Sequence, residues 1–193
     1  MKQILHIPFV LSIFFCTTLL GDDKSPTPGK DSAIASVTGK LICAHCDFSI
    51  GDTCCSGIQI EDVVFVLSGE ADDELLDLRL NGIGARVIGT LTAKDGYLYL
   101  NGVQDKKAPA DAKDQSLITG KVVADGESFA LANGKSPVRI KGDALESLAS
   151  QNGKWVELAG AFNVDRKGRI QLTAKSAKPV DGPPKLPVGK KKQ

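Results

Sequence analysis

The chain has 193 residues, of which 42% are hydrophobic and 24% are charged, and its formal net charge is +1. This composition is typical of a globular protein, and it excludes a chain that is disordered or membrane-embedded along its whole length. The near balance of charge gives no electrostatic reason to expect a polyanionic partner.

The first 21 residues are predicted to be a signal peptide and not part of the fold. Lys2 supplies a positive start, and residues 7–20 are almost all apolar. We expect cleavage after Gly21 and export to the periplasm or the extracellular space. If the segment is retained, it is the only expected contact with a membrane, because so short an apolar run barely spans a bilayer. Residues 22–35, rich in Pro, Gly, Ser and charge, are predicted to form a flexible spacer.

An internal repeat organises the rest of the chain. Residues 37–42, VTGKLI, match residues 118–123, ITGKVV, almost position for position. Each copy continues with a predicted hairpin, a short helix and a final pair of strands. We therefore predict repeat 1 over residues 36–105 and repeat 2 over residues 117–178, with a linker over residues 106–116.

Repeat 1 has clear strand and turn signals. After its opening strand, further strands are predicted over residues 58–60, 63–67, 87–91 and 97–103. A short amphipathic helix is predicted over residues 72–80, because leucines recur on one side and acidic residues fill the first turn. The exposed acidic residues of this helix, Asp72, Asp73, Glu74 and Asp77, are assigned to a solvated face.

Repeat 2 gives the same order of elements. Its later strands are predicted over residues 129–132, 138–140, 155–164 and 169–174. Asn133-Gly134 predicts a tight hairpin turn, because both residues accept positive φ. Asp143 is predicted to cap a short helix, with Glu146 three residues later as in a capping box.

Three strands, a short helix and two strands in each copy are the order of the OB-fold, a five-stranded, partly open barrel. We therefore predict a mainly β protein of two tandem OB-like five-stranded barrels, each with one short helix between strands three and four. A single β-sandwich of about ten strands is the alternative. The helix at the same place in both copies favours two barrels.

Charge is distributed unevenly between the copies. Residues 36–105 carry 4 basic and 11 acidic residues, whereas residues 117–178 carry 10 basic and 6 acidic residues. Formal charges of −7 and +4 predict that the copies attract each other or face different partners. Residues 179–193 contain several prolines and end in basic residues, which predicts a disordered basic tail.

Residues 43–55, CAHCDFSIGDTCC, hold four of the chain's five cysteines. They form the predicted connection between the first two strands of repeat 1. The same connection in repeat 2, residues 124–128, contains no cysteine, so the fold does not require the cluster. OB-folds commonly use this loop for ligands, which makes it the candidate functional site.

The cysteine spacing predicts a site for a thiophilic metal ion. Cys43 and Cys46 form a CxxC pair that can bind one ion, and Cys54 or Cys55 returns from across the loop as a third ligand. His45 or the remaining cysteine is the candidate fourth ligand. Sulfur and imidazole ligands suit Zn²⁺ or Cu(I), whereas Mg²⁺ or Ca²⁺ prefers oxygen.

Two other interpretations of the cysteines remain open. Disulfides persist in exported proteins, and Cys43 with Cys55 and Cys46 with Cys54 would join the two limbs of the loop. Thiol–disulfide exchange at Cys43 and Cys46 is the other interpretation. It is disfavoured because a redox CxxC usually opens a helix, whereas this one is predicted to enter a Gly-containing loop.

No catalytic motif is present, so we predict a non-catalytic protein. There is no GxSxG, P-loop or HExxH pattern, and Asp47 follows the CxxC where a c-type haem site needs His. Nucleic acid is predicted not to be a partner, because Phe129, Trp155 and Phe162 are assigned to the core and the chain is expected to be exported. Without Lys2, the mature chain also balances 23 basic against 23 acidic residues. The expected partner is an unidentified envelope protein or a glycan.

The TGK opening, the CxxC after it and a later cysteine that leads into the next strand resemble small exported bacterial proteins with an OB-like fold. Cys43, Cys46 and Cys55 match that pattern, over about residues 37–103. Cys54 is additional, and the His and Cys of the pattern before the fourth strand are missing from residues 75–86. The resemblance implies an envelope location and no known reaction.

Overall fold

The computed structural model describes residues 32–81, 83–106, 113–184 and 186. Its strands are β1 (Ile34–Cys43), β2 (Ser56–Ile60), β3 (Val63–Ser68), β4 (Gly84–Lys94), β5 (Tyr97–Gln104), β6 (Gln115–Asp125), β7 (Ser128–Leu131), β8 (Val138–Lys141), β9 (Trp155–Val164) and β10 (Ile170–Pro179). The helices are α1 (Ala44–Phe48), α2 (Glu70–Leu75) and α3 (Leu145–Leu148), with 3-10 helices over Arg79–Asn81 and Ala149–Gln151. The protein is mainly β, as predicted.

Several predicted segments fall partly or wholly outside the described residues. The predicted signal peptide and most of the predicted spacer and basic tail are among them. β1 begins at Ile34, inside the residues assigned to the spacer from sequence. Within the ranges that the structure describes, no helix has the length and apolar character needed to cross a membrane.

The first five strands form a closed barrel. β1 pairs antiparallel with β2 and with β4, β2 pairs with β3, and β4 pairs with β5. A parallel pairing of β3 with β5 closes the barrel. This is the connectivity of the OB-fold. The helix α2 lies between β3 and β4 and buries Ala71 and Leu75, which are four residues apart and therefore share a face, in the core.

The last five strands repeat this barrel. β6 pairs antiparallel with β7 and with β9, β7 with β8, and β9 with β10, and β8 pairs in parallel with β10. The helix α3 lies between β8 and β9 and buries Leu148. The prediction of two tandem OB-like barrels, each with a short helix between its third and fourth strands, is confirmed.

The two barrels are joined by their first strands and by a shared core. β1 pairs antiparallel with β6, from Ile34 opposite Thr119 to Thr38 opposite Gln115. The buried rings of Phe65 and Phe162, one from each barrel, meet edge to face with their centroids 5.7 Å apart, which is a favoured aromatic geometry. The apolar core therefore continues from one barrel into the other.

The glycine of the repeated TGK sequence is closely packed in both copies, but against different atoms. A Cβ atom at Gly39 would lie 2.4 Å from the carbonyl oxygen of Gln59, so only glycine lets β1 and β2 approach this closely. At the equivalent Gly120, the nearest atoms would be the Cβ atoms of Ala33 and Leu131, each at 3.0 Å. Repeat 1 is therefore more tightly packed than repeat 2 at this position.

Of two local predictions in repeat 2, the hairpin turn is confirmed and the helix cap is wrong. Asn133-Gly134 lies in the connection of the β7–β8 hairpin, where Gly134 has φ 56° and the backbone N–H of Ser136 donates to the carbonyl of Asn133 at 3.1 Å. The Asn133 side-chain amide also donates to the carbonyl of Leu91 in the other barrel, at 2.9 Å. Asp143 does not cap α3, whose N-cap is Ala144 and makes no side-chain capping bond.

Candidate metal centre

The cysteine loop begins with a short helix that sequence did not predict. Cys43, at the end of β1, is the N-cap of α1, and its thiol accepts a hydrogen bond from the backbone N–H of Cys46 at 3.4 Å. The backbone N–H of Cys43 in turn donates to Asp47 Oδ2 at 3.1 Å. These reciprocal bonds satisfy donors at the helix start, as in other N-terminal caps. The absence of a helix is therefore no longer an argument against a redox role.

Three thiols converge at the start of this loop. The Sγ atoms of Cys43, Cys46 and Cys54 all lie within 4.8 Å of one another, and those of Cys46 and Cys54 are 3.5 Å apart. Ligands about 2.3 Å from a zinc ion lie roughly 3.8 Å apart, so the three thiols could hold a metal ion with little movement. Cys43 is buried, whereas Cys46 and Cys54 are exposed.

The other two predicted ligands are not part of this cluster. Cys55 is half-buried and packs with a small apolar cluster made by Ala44, Ile50 and Val66, and burial raises the pKa of its thiol. The Nδ1 atom of His45 lies 2.8 Å from the carbonyl oxygen of Gly51, within hydrogen-bond distance across the loop. Both side chains therefore make contacts within the loop, and neither belongs to the three-thiol cluster.

The four cysteines of the loop are free thiols in the structure. The 3.5 Å between the sulfurs of Cys46 and Cys54 is far longer than a disulfide bond, which is about 2.05 Å. Neither of the two predicted disulfides, Cys43 with Cys55 and Cys46 with Cys54, is formed.

Arg79 lies near the thiols and was missed by sequence reasoning. It belongs to the 3-10 helix that follows α2, and the nearby side chains of Cys43 and Cys54 raise the pKa of its guanidinium. One of its terminal nitrogens, Nη1, also donates to the carbonyl of Leu76. Arg79 is the only Lys or Arg between Lys40 and Arg86, a signal that could have drawn attention to it.

These contacts shift the pKa values of Cys43 and Cys46 in opposite directions. Burial opposes ionisation of Cys43, but hydrogen bonds from Cys46, Arg79 and Cys54 outweigh it and lower the pKa of Cys43 to about 7. Hydrogen bonding with Cys43 and Cys54 raises the pKa of Cys46 to about 12. The buried thiol is therefore the first of the two to ionise, and its thiolate is stabilised by N–H donors.

The end of the loop is fixed by α2. The backbone N–H of Ser56 donates to Asp72 Oδ1 at 2.7 Å, and the Ser56 hydroxyl donates to the Asp72 carbonyl at 3.4 Å. The prediction that Asp72 belongs to a solvated face is therefore wrong. Through this contact the helix holds the start of β2 directly after the cysteine pair.

No family model matches the chain, and no curated protein matches it. The resemblance to small exported bacterial proteins therefore stays a prediction. Among solved structures, the chain is similar to a deletion mutant of the single-stranded DNA binding protein from Thermus aquaticus. The identity is 14% and the TM-score 0.45, over 84% of this chain and 99% of that chain.

This comparison contradicts the prediction that nucleic acid is not a partner. The matched protein is, by its title, a single-stranded DNA binding protein. The exclusion of nucleic acid is accordingly withdrawn.

Proposed function

We propose that this is an exported, non-catalytic protein that binds a thiophilic metal ion, Zn²⁺ or Cu(I), through Cys43, Cys46 and Cys54. The observation that carries the proposal is the convergence of three sulfurs within 4.8 Å on a loop that the second barrel lacks. Thiolate ligands select these ions over Mg²⁺ or Ca²⁺. Cys55 and His45 would support the site without binding the ion.

The arrangement of the three thiols suits reversible binding. Cys43 is buried and held by hydrogen bonds, so it would supply a fixed thiolate, whereas the exposed Cys46 and Cys54 can adjust to the ion. Because the ligands must lose protons, binding would release protons and weaken as the pH falls. When bound, the ion would hold the three thiolates together, and we assign it no role in a reaction.

The test is metal binding by cysteine variants of the full chain, expressed and purified under reducing conditions. We expect the wild type to take up one equivalent of Zn²⁺ or Cu(I) against a chromogenic chelator, and Cys54→Ser to lose most of that affinity. Cys55→Ser is the matched control, because the neighbouring cysteine in the same loop lies outside the cluster. Equal losses in the two variants, or no uptake by the wild type, would refute the proposal.

Thiol counting tests the disulfide interpretation separately. Protein unfolded without reductant should offer four reactive thiols per mature chain if the loop cysteines are free. A count of zero, with a mass lower by four hydrogens than that of the reduced chain, would replace the metal site by two disulfides.

Export is tested on the mature product. The predicted signal segment supports the proposal, with its positive start at Lys2 and its apolar run over residues 7–20. N-terminal sequencing of protein from the envelope fraction should begin at Asp22. A product that remains in the cytoplasm and retains its first residues would contradict export.

Single-stranded nucleic acid is a second candidate ligand, for a reason independent of the cysteines. A groove of about 310 Å³ lies between the β1–β2 loop and the β4–β5 turn, which are the loops that OB-folds use for oligonucleotides. Phe48 and Tyr97, each 40% exposed, line it and could stack on bases. The charge of −7 on repeat 1 opposes a polyanion, so we expect weak binding. The test is the fluorescence anisotropy of a labelled oligothymidine. Equal binding by the wild type and by Tyr97→Ala would reject this groove as the binding site.

A further inference from the structure

The two exposed thiols of the cysteine loop are in contact with each other. The Sγ atoms of Cys46 and Cys54 lie 3.5 Å apart, and both side chains are open to solvent. A disulfide needs its sulfurs about 2.05 Å apart, so the pair would have to close by roughly 1.5 Å. Exposed side chains can make this movement without displacing packed neighbours, since dense packing is a property of the interior.

The backbone of the loop keeps these two thiols side by side. The backbone N–H of Ala44 donates to the carbonyl of Cys55 at 3.0 Å, and the backbone N–H of Ile50 donates to the carbonyl of Ala44 at 3.2 Å. These bonds tie the segment before Cys46 to the segment after Cys54. The two cysteines are therefore held near each other, although they are eight positions apart in the sequence.

The other two cysteines of the loop are less suited to oxidation. Cys43 is only 1% exposed, and its thiol accepts a hydrogen bond from the backbone N–H of Cys46 at 3.4 Å. Cys55 is half-buried in the small apolar cluster and lies outside the three-thiol group. Because access governs which thiols are oxidised, a small oxidant in solution meets Cys46 and Cys54 first.

A peroxide is sufficient to oxidise this pair. One sulfur attacks the peroxide, the O–O bond breaks, and the products are a sulfenic acid on that cysteine and one water. The second sulfur then attacks the sulfenic sulfur, so that the S–S bond forms and a second water leaves. The two thiols lose two protons and two electrons in all, and hydrogen peroxide is reduced to two waters.

We propose that Cys46 and Cys54 are an oxidation site, in which a peroxide joins the two sulfurs in a disulfide that excludes the metal ion. The disulfide removes two of the three proposed ligands, because metals are bound by thiolates. Cys43 alone does not retain the ion, and a bound ion in turn shields the two sulfurs from the oxidant. The exclusion of metal rests on the proposed function, whereas the disulfide itself is testable on the metal-free protein.

The first experiment treats the reduced, metal-free protein with hydrogen peroxide and measures its intact mass and its free thiols after unfolding. The wild type should lose two thiols and two hydrogens. Cys55→Ser is the matched control and should lose the same two, whereas Cys54→Ser should lose neither. A gain of oxygen atoms in place of the loss of hydrogens, or the same loss in Cys54→Ser, would overturn the disulfide.

The second experiment tests the exclusion with Zn²⁺, which has no redox chemistry of its own. Peroxide-treated wild type should lose its uptake of Zn²⁺ against a chromogenic chelator, and reduction with a phosphine should restore it. Protein loaded with Zn²⁺ beforehand should lose its thiols more slowly than metal-free protein. Equal uptake before and after oxidation, or equal rates of thiol loss with and without Zn²⁺, would overturn the exclusion.

The two experiments separate this inference from the proposed function. A reduced wild type that takes up no Zn²⁺ would overturn the proposed function and the exclusion of metal with it. The loss of two hydrogens in the metal-free protein would still decide whether Cys46 and Cys54 form the disulfide.

Discussion

The two barrels have the same strand connectivity, but the connection between their first two strands differs. In the second barrel β6 and β7 are joined by Gly126 and Glu127 alone, with Gly126 at φ 65°. In the first barrel the same connection runs over residues 44–55 and contains a helix and three of the loop's four cysteines. The barrel closes in both cases, so the longer loop is not needed for the fold.

The longer loop has a cost and an internal compensation. Closing it in place of a two-residue turn costs on the order of 1.5 kcal/mol in chain entropy. The loop offsets this by packing of its own, since Ala44 and Ile50 form a buried cluster with Val66 of β3. The ordered structure of the loop is therefore explained by local contacts, and this order is what brings the three thiols together.

The largest effect is expected from a test of whether the two barrels unfold independently. Phe162→Ala removes a fully buried ring of the second barrel that contacts Phe65 of the first, and we expect a loss of about 3–5 kcal/mol in the free energy of unfolding. Because the core is continuous, urea unfolding should remain one transition, and Phe65→Ala should behave alike. Two transitions, with only one displaced, would show that the barrels unfold separately.

Metal binding should distinguish the two connections directly. With free metal at 100 times its dissociation constant, the folded state should gain about 2.7 kcal/mol. Amide hydrogen exchange should slow in residues 43–56 and stay unchanged in residues 125–128, the turn that has no cysteine. Equal protection of both connections would mean that the ion binds elsewhere.

The repeated glycine offers a matched pair of substitutions. Gly39→Ala places a methyl group against the fixed carbonyl of Gln59 and should destabilise the protein by about 2 kcal/mol. Gly120→Ala meets the Cβ atoms of Ala33 and Leu131 at 3.0 Å, a milder overlap than the 2.4 Å at Gly39, so its cost should be about 1 kcal/mol. Thermal unfolding of both variants measures the difference, and the reverse order would contradict the tighter packing of repeat 1.

The smallest effect is expected at the β9–β10 turn of the second barrel. The Asp165 carboxylate accepts hydrogen bonds from the Arg169 side chain and from the backbone N–H groups of Arg169 and Lys167, which hold its pKa well below its usual range. The stabilisation is therefore complete above the unfolded-state pKa, about 3.9, and is lost as the pH falls through the folded-state value.

Asp165→Asn, compared with the wild type by urea unfolding, should accordingly be less stable at pH 7, and the difference should shrink below about pH 4. The Asp95 turn of the first barrel has a different construction, because Asp95 and Gly96 both adopt positive φ in a two-residue turn. A stability difference between the wild type and Asp165→Asn that grows as the pH falls would contradict the hydrogen bonds assigned to Asp165.

The barrels were predictable because their signals are local. Alternating strands, the repeated TGK and the turn residues set the order of the elements, and that order has few topological solutions. The hydrogen bond from the Asn133 amide to Leu91 of the other barrel was not predictable, because no local pattern encodes a contact across the interface.

The site was only partly predictable. The CxxC spacing identified Cys43 and Cys46, but α1 is a five-residue helix capped by a thiol, and cysteine is not a usual capping residue. The choice between Cys54 and Cys55 depends on which side chain turns into the small apolar cluster as the chain enters β2, and it is Cys55. Arg79 reaches the cysteines only through the tertiary fold.

The pairing of β1 with β6 has a further consequence. Ala35 lies opposite Ile118 and Val37 opposite Ser116, and these two pairs exchange places when the repeats are exchanged. The contact is thus isologous, like the interface of a two-fold symmetric homodimer, but within one chain. A barrel expressed alone would expose this strand edge and should self-associate through it. Fusing two copies covers that edge while leaving each copy free to carry a different loop.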